Sequence, residues 1–186
     1  MGLFNRKASP ADLTPAIAKE LGLAKGERVL AYAVDDFTGA YVVATTYALA
    51  VVTSTAVTSN PATSTAERIV RRRWLSVDAG AWEPETATLT VTWADGRRAG
   101  QWSFRDQQTL LPEALRERVQ ASVVLSTRLA LGDRRTGRVA IRQDFATREL
   151  IAQTILGRYA RADDPEVQAH VQAALAHLRD QVGLPA

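Results

Sequence analysis

The sequence predicts an α+β protein: a bent antiparallel β-barrel capped by an amphipathic helix, with a C-terminal β-hairpin and a second helix appended. Two observations predict this fold. Several segments between residues 28 and 104 are rich in β-branched and aromatic residues or alternate apolar with polar positions, as strands with one buried face do. Residues 110–131 instead repeat apolar side chains at the helical spacing, so they need an apolar sheet on which to pack.

The capping helix is predicted over Leu110–Leu131. Pro112 suits the first turn, where a missing N–H costs nothing, and Leu111, Leu115 and Val119 recur on one face. Little polar surface is left after Val119, so we expect the C-terminal half of this helix to be deeply buried.

Composition indicates an ordinary globular protein of 186 residues, with 46% hydrophobic and 23% charged residues. The chain has no cysteine, which excludes disulfides and thiolate metal sites, and a formal net charge of +3 is too small to indicate nucleic-acid binding. No apolar run approaches the ~18 residues of a membrane span, and the start of the chain lacks the apolar region of a signal peptide. We therefore expect a cytoplasmic protein, with peripheral membrane association left open. Few lysines and many alanines are typical of GC-rich bacterial codon usage.

The N-terminal segments predict a flexible tail, a short helix and a first hairpin. The helix would begin at Ser9-Pro10 and end at Gly22. The hairpin joins Arg28–Val34 to Tyr41–Thr53 through a turn at Asp35–Gly39. The second of these strands is the richest in β-branched residues and is long enough to bend across two faces of a barrel.

Three more strands are predicted before the capping helix, over Arg71–Val77, Thr88–Trp93 and Gly100–Phe104. The middle strand alternates apolar residues with threonines, and Asp95-Gly96 is a tight-turn signal between it and the next strand. These strands complete the predicted barrel.

After the capping helix, Arg138–Phe145 alternates as a strand, and Glu149–Leu156 either pairs with it or, over Arg148–Leu156, forms a helix. Asp164-Pro165 is a cap and first-position pair that starts an amphipathic helix ending at Gly183. The domain organisation follows: residues 1–25 form a tail and short helix, residues 26–131 the capped barrel, and residues 132–186 a hairpin and helix packed on the same domain.

Four segments resemble the bacterial pleckstrin-homology-like domains. They are the GERVLA stretch at 26–31, residues 45–49, the Trp74 to Trp82 segment, and the helix at 111–124. The same helix, LPE-x-x-RERVQASVV, is similar to that of an uncharacterised family of high-GC bacterial proteins. The resemblance covers residues 26–131. It implies a barrel closed by a helix and a role in lipid binding, peptide binding or scaffolding. The basic phosphoinositide signature is absent, and Asp35 and Asp36 stand in the first hairpin instead.

One cluster could recognise an anion or a partner: Arg68, Arg71, Arg73 and Trp74. Arginines on a strand next to a tryptophan suit an anionic lipid, a phosphate or an acidic partner. A solvated sheet edge, protected from aggregation by charge, is the plainer interpretation.

The sequence predicts no catalytic, metal or cofactor site. His170 and His177 lie about 10 Å apart by helical rise, too far to share a metal. The carboxylate pairs at residues 35–36 and 163–164 fit turns, and no nucleophile elbow, phosphate loop or dinucleotide fingerprint is present. The four tryptophans fit a barrel core better than a ligand pocket.

These observations favour a non-enzymatic interaction or scaffolding domain that binds a protein segment or an anionic membrane surface, without a cofactor. The alternative is a small-molecule-binding protein or enzyme with a Trp-lined barrel cavity. We expect no nucleic-acid partner. The apolar stripe of the last helix would be buried either against its own barrel or in a homo-oligomer.

Overall fold

The computed structural model describes residues 13–53 and 69–184. These residues form three helices, one short 3-10 turn and three antiparallel sheets, which confirms the α+β class. No closed barrel is found in the part of the chain that the structure describes. The chain divides into two compact units, which we call the N-terminal unit (residues 1–119) and the C-terminal unit (residues 120–186).

The first described elements of the N-terminal unit are a short helix and a four-stranded sheet. Helix α1 (Pro15–Leu21) starts at a Thr14 cap and ends at Gly22, whose φ of 51° suits glycine. Ile17 and Leu21 are buried against apolar side chains of the sheet, including Tyr32, Val43 and Val52. The first sheet has the order β1 (Val29–Val34), β2 (Tyr41–Thr45), β3 (Ala48–Val52) and β4 (Ile69–Arg73).

A second, three-stranded sheet follows a 3-10 turn at Trp74–Ser76. It has the order β5 (Val77–Glu83), β6 (Thr88–Trp93) and β7 (Gly100–Ser103). Successive side chains of a strand point to opposite faces of the sheet, and the strand register shows which residues lie side by side on each face. Trp82, Leu89 and Trp102 pair across one face, and Ala81, Thr90 and Gln101 pair across the other.

Helix α2 (Leu111–Ser122) places Leu111 and Leu115 in the core. A Cβ on Gly80 of β5 would lie 2.2 Å from Cδ2 of Leu115. The Leu115 side chain therefore lies directly on the backbone of the second sheet, where only glycine leaves it room.

The C-terminal unit is a three-stranded sheet with one helix on it. The strand order is β10 (Leu150–Leu156), β9 (Gly137–Gln143) and β8 (Val123–Arg128), and α3 (Pro165–Gln181) follows. Val167 and Leu178 of α3 pack with Val139 and Ile141 of β9. The apolar stripe of the last helix thus packs on the sheet of its own unit, and Asp164 caps it as expected.

The prediction of one helix over Leu110–Leu131 is wrong in its second half. The helix ends at Ser122, and β8 begins at the next residue. Val123 and Val124 are 36% and 43% exposed, so the expected deep burial is wrong for these two residues, whereas Leu129 and Leu131 are buried as expected. In a strand, backbone N–H and C=O groups of β8 form hydrogen bonds with β9. The β-branched residues Val123, Val124 and Thr127 also favour a strand over a helix.

The prediction of one long strand over Tyr41–Thr53 is also wrong, because β2 and β3 form a tight hairpin. The Thr45 hydroxyl accepts hydrogen bonds from the N–H groups of Tyr47 (3.2 Å) and Ala48 (2.9 Å) and so closes the turn without glycine or proline.

Other expectations about local structure are confirmed. The Asp35–Gly39 turn joins β1 to β2, β6 matches its predicted range, and Leu150–Leu156 is a strand rather than a helix. The strand predicted over Arg71–Val77 is instead divided by the 3-10 turn. The proposed tail and the helix start at Ser9-Pro10 lie outside the described residues, as does Arg68.

Among the described residues, none of the helices combines the length and the apolar character that a membrane crossing would require.

The packing of α2 gives a direct stability prediction. Leu115→Ala should lower the free energy of unfolding by about 2–5 kcal/mol, because it leaves a cavity over Gly80. All four tryptophans lie in the N-terminal unit, so urea unfolding followed by tryptophan fluorescence reports on that unit. Arg116→Ala, an exposed change on the same helix, is the control. A loss below about 1 kcal/mol for Leu115→Ala would contradict the packing.

Candidate functional site

Arg71 of the predicted patch is held by partners within the N-terminal unit. Arg71 forms an ion pair with Glu27, and its second amino group donates to the Leu21 carbonyl at 2.9 Å. The Glu27 side chain is fully buried and also accepts from the Thr45 hydroxyl and from the Ala24 N–H. Arg71 therefore connects β4 with the end of α1 and with the turn before β1.

The Glu27 carboxyl is ionised more easily than an ordinary glutamate. Burial raises its pKa, but hydrogen bonds from the Thr45 hydroxyl, the Ala24 N–H and Arg71, with the Arg71 charge, outweigh burial. The net pKa lies below the ordinary value of 4.5. The structure thus keeps a buried negative charge in the core next to Arg71.

Arg72 and Trp74 also have partners in the N-terminal unit. Arg72 pairs with Asp95 at 3.1 Å and lies over the Trp93 ring, 4.5 Å from its centroid. Trp74 is 1% exposed, and its indole N–H donates to the Thr45 carbonyl at 3.0 Å. Trp74 therefore offers no surface to a ligand, and binding by the arginine cluster, including Arg73, stays a prediction.

An open cleft of about 630 Å³ lies against the second sheet. Its floor is the polar face of the sheet, where Thr88 and Thr90 of β6 lie beside Ser103 and Gln101 of β7. Ala81 and Glu83 of β5 complete it. We call this feature the threonine cleft.

The rim of the threonine cleft carries Phe37 and Arg105. Phe37 is 76% exposed, the largest exposed fraction among the big hydrophobic side chains that the structure describes. The Arg105 guanidinium lies 5.7 Å from the centre of the Phe37 ring. The rim thus offers an apolar surface and a positive charge side by side.

Two aspartates fix this rim. The Asp35 carboxylate accepts the Ser103 N–H at 2.9 Å and two hydrogen bonds from Thr38. The Asp36 carboxylate accepts the Arg105 N–H at 2.9 Å and the Ser103 hydroxyl at 3.1 Å. The turn that presents Phe37 is therefore attached to β7, and the sequence-predicted turn role of both aspartates is borne out.

The tryptophans do not form the floor of this cleft. Trp82 and Trp102 border it, but strand alternation places their side chains on the opposite face. There the Trp82 ring is stacked on Phe104, with ring centres 6.4 Å apart. A smaller hollow of about 230 Å³ beside α2 includes Trp82.

The remaining candidates have structural partners. His170 contacts the Glu166 carbonyl and His177 contacts Gln181, and the described residues contain no group of three metal-ligating side chains. Asp163 pairs with Arg161. None of these arrangements resembles a reaction centre.

Comparison with protein-family models, curated proteins and solved structures finds no match for this chain.

The threonine cleft was not predicted from sequence. A phenylalanine at the tip of an acidic turn is a signal that could have been used, because apolar residues there are seldom buried by the hairpin itself. The threonines at every second position of β6 were recognised only as a solvent face. Arg105 carries no local signal, because it lies beside Phe37 only through the hydrogen bonds that Asp36 accepts from the Arg105 N–H and from Ser103 of β7.

The lowered pKa of Glu27 predicts a pH-dependent contribution to stability. That contribution is fully present above pH 4.5 and is lost as the pH falls through the lowered pKa of the folded state. Glu27→Gln should lower the free energy of unfolding by about 1–3 kcal/mol at neutral pH. The difference in this free energy between variant and wild type should become smaller below pH 4.5. Urea unfolding at several pH values measures both.

Glu85→Gln, at an exposed position, serves as the control and should follow the wild type at every pH. A gap between wild type and Glu27→Gln that stays constant down to acid pH would show that the Glu27 charge does not contribute.

Proposed function

We propose that the chain is a non-enzymatic interaction domain that holds an extended protein segment in the threonine cleft. The observation that carries the proposal is the pairing of an exposed Phe37 with Arg105 above an open polar floor. Aromatic residues and arginine are enriched where protein interfaces concentrate their binding energy.

The polar floor suits an extended segment. Side chains on one face of a strand recur every ~7 Å, which is also the repeat of an extended partner chain. Thr88 and Thr90 therefore place two hydroxyl groups at that repeat, and Gln101 adds an amide directly opposite Thr90. Phe37 would supply the apolar contact, and Arg105 would favour an acidic residue in the segment.

The anionic-membrane form of the proposal has less support. Arg71 and Arg72 are each paired with a carboxylate, so their charge is largely compensated within the protein. A polybasic surface needs uncompensated charge to attract anionic lipid.

We propose the pleckstrin-homology-like assignment for residues 26–119 of the N-terminal unit, rather than for 26–131 as expected from the sequence, because Val123–Arg128 forms strand β8 of the C-terminal unit. Among the described residues, seven antiparallel strands, four in one sheet and three in the next, come before a helix whose Leu111 and Leu115 are buried. This order is consistent with a sheet structure closed by a helix, in which peptide binding is one known role.

A small-molecule ligand is the second candidate. The cleft volume of about 630 Å³ falls within the range of ligand pockets, roughly 300–1,000 Å³. An open polar floor encloses a small molecule poorly, however, and so favours the protein segment.

Selection from a random linear-peptide library tests the proposal. Selected peptides are titrated by fluorescence anisotropy against the wild type, Phe37→Ala and Thr90→Arg. We expect each substitution to weaken binding at least about tenfold, because the first removes the apolar anchor and the second fills the floor.

Tyr159→Ala is the matched control, since Tyr159 is a 65% exposed aromatic residue of the C-terminal unit. It should leave affinity unchanged. Peptides that bind equally well to Phe37→Ala, or a library that yields no binder, would overturn the proposal. A metabolite screen by thermal shift that selects Thr90-dependent ligands instead would favour the small-molecule candidate.

A further inference from the structure

Among the described residues, no strand pairs with β10 on the side away from β9. The Asp144 N–H bonds to the Glu149 carbonyl (2.9 Å), and the Gly157 N–H bonds to the Thr136 carbonyl (2.7 Å). Backbone groups alternate in direction along an antiparallel strand, so the odd-numbered residues between 149 and 157 bond to β9. The N–H and C=O groups of Leu150, Ala152, Thr154 and Leu156 therefore point outward, away from β9.

This edge lacks the features that usually protect an edge strand. Proline, charge, a bulge or a covering segment prevents pairing at most natural edges. Residues 150–156 contain no proline and no charged residue, and their register with β9 is regular throughout. All seven are partly exposed.

The other described edges are protected. The outer edge of β1 is covered by Gln107, which bonds to both backbone groups of Val34, and by Thr109, which bonds to the Tyr32 carbonyl. Strand β4 carries three arginines, β5 and β8 each contain a register shift, and β7 has only four residues.

The sequence of β10 is nearly palindromic: Leu-Ile-Ala-Gln-Thr-Ile-Leu. An antiparallel pair centred on Gln153 places Leu150 opposite Leu156, Ile151 opposite Ile155, and Ala152 opposite Thr154. Each pair matches residues of similar shape. A two-fold interface needs this match, because the same surface of both copies forms it.

We infer that two copies of this chain pair through β10, antiparallel about a two-fold axis at Gln153, to form one continuous six-stranded sheet. In this register the outward backbone groups of residues 150, 152, 154 and 156 meet those of the second copy in four hydrogen-bonded pairs.

The register also matches the two faces of the sheet. Opposite residues in an antiparallel pair lie on the same face. Leu150, Ala152 and Leu156 pack on the α3 side in one copy. The even-numbered residues of the second copy meet them, so both α3 helices lie on the same face. A one-residue slip would instead place the two α3 helices on opposite faces of the sheet.

A second copy fits this edge better than an unrelated peptide. An unrelated strand could pair with β10 by matching only its apolar pattern. The near-palindrome matches residue with residue along the whole strand when the partner is a second β10. This inference is independent of the threonine cleft, which lies in the other unit.

Single-cysteine cross-linking tests the register, because the chain has no cysteine of its own. At the axis, Gln153 faces its own copy in a non-hydrogen-bonded pair, where the Cα atoms lie about 4.5 Å apart, within disulfide range. Gln153→Cys should therefore give a covalent dimer on mild oxidation with diamide. Ile155→Cys, on the same strand and face but roughly 14 Å from its copy, should not.

Light scattering after size exclusion tests the interface. The wild type should have twice the chain mass, and Thr154→Pro should be a monomer, because proline removes an outward N–H without touching the bonds to β9. Thr154→Val keeps the N–H and should remain dimeric, and circular dichroism confirms that each variant is folded.

A wild type that is a monomer at high concentration would overturn the inference. A dimer that survives Thr154→Pro and does not cross-link through Gln153→Cys would also overturn it, because such a dimer must use another surface.

Discussion

The N-terminal unit depends on the buried carboxylate of Glu27. A charge in the core is costly unless hydrogen bonds and an opposite charge surround it, and here Arg71, Thr45 and the Ala24 N–H do so. These partners come from β4, from β2 and from the turn after α1. The Thr45 carbonyl in turn holds Trp74 at the start of the 3-10 turn that leads to the second sheet. One ionised group thus determines how a helix, a hairpin and a later strand meet.

A hairpin loop that starts at a buried aspartate occurs once in each unit. The hairpins β1–β2 and β9–β10 have the same loop. In each loop, the backbone N–H of the first aspartate donates to the carbonyl five residues later. The backbone carbonyl of the same aspartate accepts from the N–H four residues later. Asp35 and Asp144 are 3% and 1% exposed, and the fourth residue after each has a positive φ, 67° at Gly39 and 69° at Arg148. The first loop holds Phe37 at the cleft and the second leads into β10. Both proposed interaction surfaces therefore begin at a buried aspartate.

The sequence predicts correctly those elements whose signals lie within the element itself. Alternating threonines give β6, and Asp164-Pro165 gives α3, because these signals act within one element. The helix-to-strand change at Ser122 has no glycine or proline to mark it, and it depends on pairing of Val123 with a strand some twenty residues later. The Arg71 and Trp74 roles were missed for a similar reason. Glu27 and Thr45 become their partners only through tertiary contacts, which the arginine run in the sequence does not indicate. The threonine cleft likewise depends on the pairing of a turn with β7.

The central claim is that Glu27 and Arg71 stabilise the N-terminal unit as a pair. A double-mutant cycle with Glu27→Gln and Arg71→Met measures this most directly, because methionine keeps much of the apolar stem of Arg71 while removing its charge. At neutral pH, urea unfolding followed by tryptophan fluorescence should give a favourable coupling free energy of about 1–3 kcal/mol. If the two losses instead add to within about 0.3 kcal/mol, the two side chains act independently and the claim is contradicted.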